Sequence, residues 1–273
     1  MKIGIIGQGF VGNAIYQKFK NYFDILTYDL DESKCNSTFF DIANCNVVFI
    51  CLPTPMKKNG ECDTSIVENT IKELSDYISV DTIVIKSTIT PGTTQRLNDK
   101  YSDIDIVFNP EFLTERNAID DFNNQNRIIL GGPRSATTKL KQIYSKVFPK
   151  AHIIKTGPTY AELVKYFTNC FLATKVAFAN EMYQLATSLD VDYDKVVEYA
   201  TLDPRLGQSH WAVPGPDGDF GFGGHCFPKD LSAILRLAED LNTTDNVLSA
   251  VEQTNYSVRK NKDWEQMKGR AVI

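Results

Sequence analysis

The residues best placed to do chemistry lie in one run, Gly221-Phe222-Gly223-Gly224-His225-Cys226-Phe227-Pro228-Lys229-Asp230. Its glycines leave a side-chain-free approach for a substrate. Pro228 suits the first turn of a helix, expected from 229 to about 241. A cysteine just before a helix N-terminus has its thiolate favoured by the helix dipole, and a thiolate is the nucleophile of covalent catalysis. Asp230 follows four residues on, one turn along the same side. Adjacent side chains at a helix entrance usually diverge, so His225 is not expected to pair with Cys226.

A second constellation stands at the start of the chain. Gly7-Gln8-Gly9-Phe10-Val11-Gly12 follows an apolar run and opens a helical pattern carrying Ala14, Ile15 and Phe19. The spacing is that of a dinucleotide cradle. Gly7 permits a tight turn, Gly9 lets backbone approach a pyrophosphate, and Gly12 lets helix pack on strand. The helix N-terminus then presents N–H groups to the phosphates. Asp29 lies 17 residues past Gly12, at the end of the second strand pattern. An acid there accepts hydrogen bonds from the adenosine ribose and repels a 2′-phosphate, so NAD is expected over NADP.

These residues need elements to hold them. Apolar strand runs occur at 3–6, 25–28, 47–51, 82–85, 104–108, 128–130 and 152–154, mostly separated by helical stretches. That alternation predicts an α/β fold, a Rossmann-like doubly wound parallel sheet. Ser135 is the expected N-cap of the helix ending near Phe148. From 160 to 189 there is neither Gly nor Pro, and apolar residues recur at helical spacing. One helix of roughly 45 Å is expected, with a small all-helical domain built on it. The expected organisation is 1–158 for the dinucleotide-binding domain, 159–258 for the helical domain carrying Cys226, and 259–273 as a tail entering a strand. The long helix is apolar on more than one face, through Leu163, Phe167, Phe171, Phe178, Met182 and Leu185. A helix of that kind is buried, which predicts a homodimer formed along it.

The cysteine run resembles the nucleophile motif of the UDP-glucose and GDP-mannose dehydrogenases. Three further motifs of that family occur in its order: Lys86-Ser87-Thr88 before a proline-containing turn, then Asn109-Pro110-Glu111-Phe112-Leu113-Thr114-Glu115, then Ala161-Glu162 with Lys165 and Asn169 on one helix. The resemblance implies an NAD-dependent, four-electron oxidation of a nucleotide-sugar C6 alcohol to the uronate, UDP-glucose foremost, within polysaccharide biosynthesis. It implies roles as well. Cys226 captures the aldehyde, first as a thiohemiacetal and then as a thioester. Lys165 and Asn169 stabilise the oxyanion, and Glu115 is the base for hydrolysis. Asp230 and Thr88 hold the water, and Glu111 supports that network. Lys34, Pro53, Thr54, Thr88 and Glu115 join Gly7, Gly9, Phe10, Val11, Gly12 and Asp29 around the cofactor. Glu111, Phe112, Leu113, Thr114, Lys165, Asn169, Gly223 and Cys226 line the substrate, and Arg205 reaches that of a neighbouring subunit. His225 fills a position usually small or tyrosine in the family. Family members continue into a third domain that grips the nucleotide. The chain ends where its first strand would begin, so the chain alone is expected to bind NAD but to handle UDP-glucose poorly.

Composition narrows the alternatives. The 273 residues are 42% hydrophobic, enough for a core, with a formal charge of −5 and a pI near 5.3. That balance disfavours a nucleic-acid partner, and no segment reaches the roughly 18 apolar residues of a membrane span. Met1-Lys2 runs straight into a strand pattern without a signal peptide, so a cytoplasmic protein is expected. Six cysteines form no C-x-x-C pair, and no metal is expected. Two other readings fit parts of the pattern. A β-hydroxyacid dehydrogenase also combines a Rossmann domain, a long helix and a Lys-x-x-x-Asn pair, but needs no Cys226, Glu115 or Asp230. A non-catalytic NAD-binding fragment is the third.

Overall fold

The computed structural model describes residues 1–77 and 80–273. The chain divides into two compact units, residues 1–54 with 63–165, and residues 55–62 with 166–273.

The first unit is a seven-stranded sheet flanked by helices. Its elements in chain order begin β1 (Lys2–Ile6), α1 (Phe10–Phe19), β2 (Asp24–Tyr28), α2 (Phe39–Ala43) and β3 (Val47–Ile50). They continue α3 (Ser65–Ser75), β4 (Thr82–Ile85), α4 (Thr93–Lys100), β5 (Asp105–Phe108) and α5 (Ala118–Asn123). They close with β6 (Arg127–Gly131), α6 (Arg134–Val147) and β7 (His152–Thr156). The strand order is β2-β1-β3-β4-β5-β6-β7. Val47, Val48, Phe49 and Ile50 of β3 are wholly buried. A parallel strand covered by helices on both faces reads as an unbroken apolar run for this reason.

The first five strands are parallel, and β6 pairs antiparallel with β5 at Phe108 and Gly131. The expected parallel sheet is thus parallel at every strand pair but that one. A parallel return would need a crossover across the sheet face, whereas β6 returns after the 109–126 connection with the opposite sense. Gly7, Asp29, Cys51, Lys86 and Asn109 each directly follow the carboxyl end of one of the five parallel strands. The chain passes from β1 outward to β2 and then back to β3 on the other side of β1. That reversal opens the crevice in which such sheets hold ligands.

Ser135 is the second residue of α6, not its N-cap, and its hydroxyl donates to Asp105. Pro133 precedes the helix instead, and Thr137 bonds back to the Pro133 carbonyl.

Helix α7 (Pro158–Ser188) starts in the first unit and continues in the second. The second unit adds α8 (Tyr193–Ala200), α9 (Cys226–Asp240) and α10 (Asn246–Val258). Its core joins Cys170, Ala173 and Ala177 of α7 to Leu231 of α9 and Val251 of α10. Residues 259–273 pack here too, with Trp264 and Ala271 buried and Met56 bonded to Ala271 and Ile273 through backbone. Among the described residues, no helix is long and apolar enough to cross a membrane.

The long helix departs from expectation in one respect. Tyr160, Leu163, Phe167, Phe171, Phe178 and Leu185 are exposed, Tyr160 and Phe167 by 73% each. Their spacing of three, four or seven residues puts them on one face. The opposite face, with Ala161, Lys165, Asn169, Ala173 and Ala177, is buried.

Candidate active site

The glycines of the first unit sit where their lack of a side chain matters. Gly7 has φ +91°, and a Cβ there would lie 2.5 Å from the Cys51 carbonyl oxygen. A Cβ on Gly12 would lie 1.8 Å from the Gly7 oxygen. Gly9 is the opposite case. Its side faces open space, and it is the N-cap of α1, with no side-chain cap bond and no acid in the first turn. The result is a backbone cradle open on the side a phosphate would approach, at a helix end that favours negative charge. Asp29 lies one residue beyond β2. Its carboxylate accepts from the Gln8 amide at 2.6 Å and the Asp31 amide at 3.0 Å, which aims it across the glycine turn. These residues fit a dinucleotide. Lys34 is exposed and pairs with Asp31 at 3.1 Å. Pro53 is exposed, while Thr54 is buried and donates to the Thr88 carbonyl at 2.7 Å.

After β4 and β5 the same unit holds a buried polar chain. Lys86 donates to Asn109 Oδ1 at 3.0 Å and to the Pro110 carbonyl at 3.4 Å. Tyr144 also donates to Asn109 Oδ1, and Asn109 gives its amide to the Ile129 carbonyl. Burial lowers the Lys86 ammonium to about 8. Next along the chain, Glu111 accepts from Lys165 Nζ at 2.7 Å, with both groups buried. Lys165 also donates to the Glu111 carbonyl, and Leu113 N–H donates to the other carboxylate oxygen. Burial alone would raise the Glu111 carboxyl. Lys165, aided by Lys86, outweighs it and holds the group below the usual carboxylate range. Phe112 lies under the Arg127 guanidinium. Thr114 is exposed and bonds Asp121, and exposed Glu115 opens a short 3₁₀ turn.

The second unit carries the cysteine loop, pinned by its backbone from three elements. Gly221 N–H donates to Asn180 of α7 and Phe222 N–H to Asn255 of α10, while Gly224 N–H donates to Asp263 in a 3₁₀ turn. Gly223 packs so closely that a Cβ would lie 2.2 Å from the Arg259 guanidinium. Arg259 is itself buried and pairs with Asp217, Asp219 and Asp263. Cys226 is the first residue of α9, not a residue before it, so the dipole acts on it directly. His225 Nε2 lies 3.5 Å from Cys226 Sγ, against the expected divergence. His225 already has helical φ and ψ of −95° and −15°, so consecutive side chains stand about 100° apart. One turn on, Asp230 is 1% exposed; it accepts from Asn169 Nδ2 at 2.7 Å and from Lys229 Nζ at 3.0 Å. Arg205 is exposed, with its guanidinium held by Asp203 in its own turn.

Sequence reasoning missed four residues of these networks. Lys86 and Asn109 lie inside quoted motifs, but nothing local marks them as buried. Lys229 carried no role although it adjoins Asp230. Arg259 lies outside every motif, and only its position after a helix hints at use.

Residues 35–148 match the NAD binding domain of the UDP-glucose/GDP-mannose dehydrogenase family, and residues 159–257 match its central domain. The chain is 36% identical over 252 residues to a UDP-glucose 6-dehydrogenase of Rickettsia bellii, covering 88% of this chain and 56% of the relative. It is 31% identical over 302 residues to the UDP-glucose 6-dehydrogenase TuaD of Bacillus subtilis, covering 94% and 63%. Its fold matches that of a UDP-glucose dehydrogenase from Pyrobaculum islandicum with a TM-score of 0.85 at 29% identity, over 94% of this chain and 68% of that one. The chain thus spans between about half and just over two-thirds of the length of these curated relatives.

Proposed function

The chain belongs to the UDP-glucose/GDP-mannose dehydrogenase family, and we propose that it oxidises the C6 alcohol of a nucleotide sugar to the uronate, UDP-glucose to UDP-glucuronate foremost. The observation that carries this reading is Cys226 in the first turn of α9, with Asp230 one turn on, buried and held by Asn169 and Lys229. A structural cysteine needs no such carboxylate.

NAD, when bound, supplies the hydride acceptor for both oxidations. The open side of Gly9, with Gly7, Phe10, Val11 and Gly12, receives its pyrophosphate, and Asp29 takes the adenosine ribose hydroxyls. Lys34, Pro53 and Thr54 flank it.

The chain's other residues carry the rest. The Cys226 thiolate adds to the C6 carbon of the aldehyde and forms a thiohemiacetal. Once this is oxidised to the thioester, water attacks the same carbon, the C–S bond breaks and the thiolate leaves. Lys165 and Asn169 steady the oxyanion at each stage. Glu115 accepts the proton of the attacking water, which Thr88 and Asp230 orient. Glu111 holds the Lys165 ammonium in place. Phe112, Leu113, Thr114 and Gly223 shape the sugar site, and Arg205 reaches the substrate of a second copy. That second copy covers the exposed apolar face of α7, making the working form a homodimer.

The test is NADH release against a panel of nucleotide sugars. Two NADH per sugar with UDP-glucose is the expected result. One NADH per substrate, or turnover by Cys226→Ser with near-unchanged release of carboxylate, would overturn the covalent mechanism.

A further inference from the structure

We propose that His225 is the catalytic partner of Cys226, an imidazole that takes the thiol proton and holds the sulfur as a thiolate. The inference rests on reading Cys226 as the nucleophile, and it adds a residue to that reading.

The geometry carries it. His225 Nε2 stands 3.5 Å from Cys226 Sγ, hydrogen-bond range for sulfur. The ring is turned on the thiol and not on the backbone N–H groups of α9, which a capping side chain would serve. Both flanks are fixed. Before the pair, Gly224 N–H is tied to both Asp263 carboxylate oxygens at 3.1 Å. After it, Phe227 packs edge-on to Phe222 and against His210, each with ring centres 5.8 Å apart. The two side chains therefore meet because the backbone on either side is held.

The step is a proton transfer and balances without an oxidant. The S–H bond breaks, its electron pair stays on sulfur, and an N–H bond forms at Nε2. Neutral thiol and imidazole become thiolate and imidazolium. Unperturbed groups titrate near 8.5 for cysteine and 6.5 for histidine, so isolated partners would not exchange the proton at neutral pH. Two features tilt the balance here. Cys226 opens α9, whose N-terminus favours the anion, and the imidazolium would lie in contact with it.

Other charges surround the pair. Lys229 is the nearest cation on the same helix, but it is ion-paired with Asp230 at 3.0 Å. Asp263 and Arg259 form a second ion pair against the Gly223–Gly224 backbone, and His210 packs on Phe227. Both ion pairs are near neutral as units, though Lys229 still feels the Cys226 sulfur, and the contact that receives the proton is His225 Nε2 at 3.5 Å.

The experiment follows alkylation of the full chain by iodoacetamide as a function of pH, read at each cysteine by peptide mass spectrometry. Cys226 in the wild type should reach half-maximal rate about one pH unit or more below Cys226 in His225→Gln. Superimposable profiles would overturn the pair. Cys62 and Cys170, buried in the same unit, report whether the variant keeps its fold. A reciprocal measurement needs no change at position 225. The His225 ring, followed by proton NMR among only three histidines, should titrate higher in the wild type than in Cys226→Ala. An unchanged titration would equally sink the proposal. Neither readout uses a substrate. Absence of activity on nucleotide sugars leaves both tests standing, and an active dehydrogenase with unshifted profiles loses only this pair.

Discussion

Asn169 donates its amide to the Asp230 carboxylate across 2.7 Å, with both side chains buried. The other Asp230 oxygen takes Lys229 Nζ at 3.0 Å, and Lys229 is 5% exposed. Burial opposes charge on Lys229, yet Asp230 outweighs it and raises the ammonium above its ordinary value. The carboxylate is thus the counter-ion that makes a buried lysine tolerable. Removing one partner of such a pair leaves a stranded charge and costs about 3–5 kcal/mol. Asp230→Asn should lower unfolding stability by that amount, and adding Lys229→Met should recover most of it. Urea unfolding followed by tryptophan fluorescence reads this directly, because Trp211 and Trp264, the only two tryptophans, both lie in the second unit. A single variant within about 1 kcal/mol of wild type would refute it.

Legibility in the sequence divided along physical lines. The glycine turn and the strand runs were legible because a buried parallel strand is apolar throughout, as in β3. The bounds of α7 were legible within two residues because no Gly or Pro interrupts it. The reversed sense of β6 was not, since an apolar run looks the same in either direction. The His225–Cys226 contact was hidden by a helix start placed at 229 and found at Cys226. Proline is tolerated throughout a first turn, so Pro228 fixes that start only loosely. Lys34 and Arg205 take distant tasks from the resemblance alone; the structure shows each paired with an acid within three residues, Asp31 and Asp203, a local contact that the spacing made legible. Lys86 became visible only once Asn109, Pro110 and Tyr144 were brought around it from separate elements.

The Asp29 carboxylate predicts cofactor choice. It already holds the Gln8 amide, so its orientation is set before any ligand arrives. The wild-type chain should bind NAD more tightly than NADP. Asp29→Ala should weaken NAD by about tenfold, the worth of roughly 1.4 kcal/mol, and narrow the preference between the two. Calorimetric titration of both cofactors checks this, and tighter NADP binding by the wild type would defeat it.

The exposed face of α7 predicts assembly. Phe167 and Phe178 lie on that face, 73% and 53% exposed. A dimer along the helix should sediment at about twice the 30.7 kDa chain mass at micromolar concentration. Phe167→Asp and Phe178→Asp each place a charge in the contact and should shift the species to one chain mass. A monomeric wild type at that concentration would remove the basis for the homodimer.

Lys86 predicts a pH dependence of stability that no activity assay is needed to see. Its ammonium is 3% exposed and titrates at about 8, against 10.5 for an ordinary lysine. The first cause is burial. Cys51 and Glu111 pull the value up again, and Lys165 pushes it down. Below pH 8 both folded and unfolded chains carry the charge, and the folded state bears the burden of burying it. Between pH 8 and 10.5 the unfolded chain holds the proton and the folded chain does not, so stability rises with pH through that window. The contribution is complete above the unfolded value and is lost as pH falls through the folded one. Its size is about 3 kcal/mol across the window. Cys51, pushed up to about 12 by burial, keeps its proton in the folded chain while the unfolded chain loses it, so it lowers stability across the same window; it is present in both proteins, and the difference between them removes that slope. Lys86→Met removes the titrating group while filling the same volume. The difference in unfolding free energy, wild type minus Lys86→Met, should therefore climb by about 3 kcal/mol from pH 8 to pH 10.5. Subtraction cancels the surface lysines and tyrosines that titrate alongside. Urea unfolding followed by circular dichroism gives the difference at each pH. A flat line would mean that Lys86 keeps its proton at pH 10.5, with Asn109 and Pro110 compensating its burial in full.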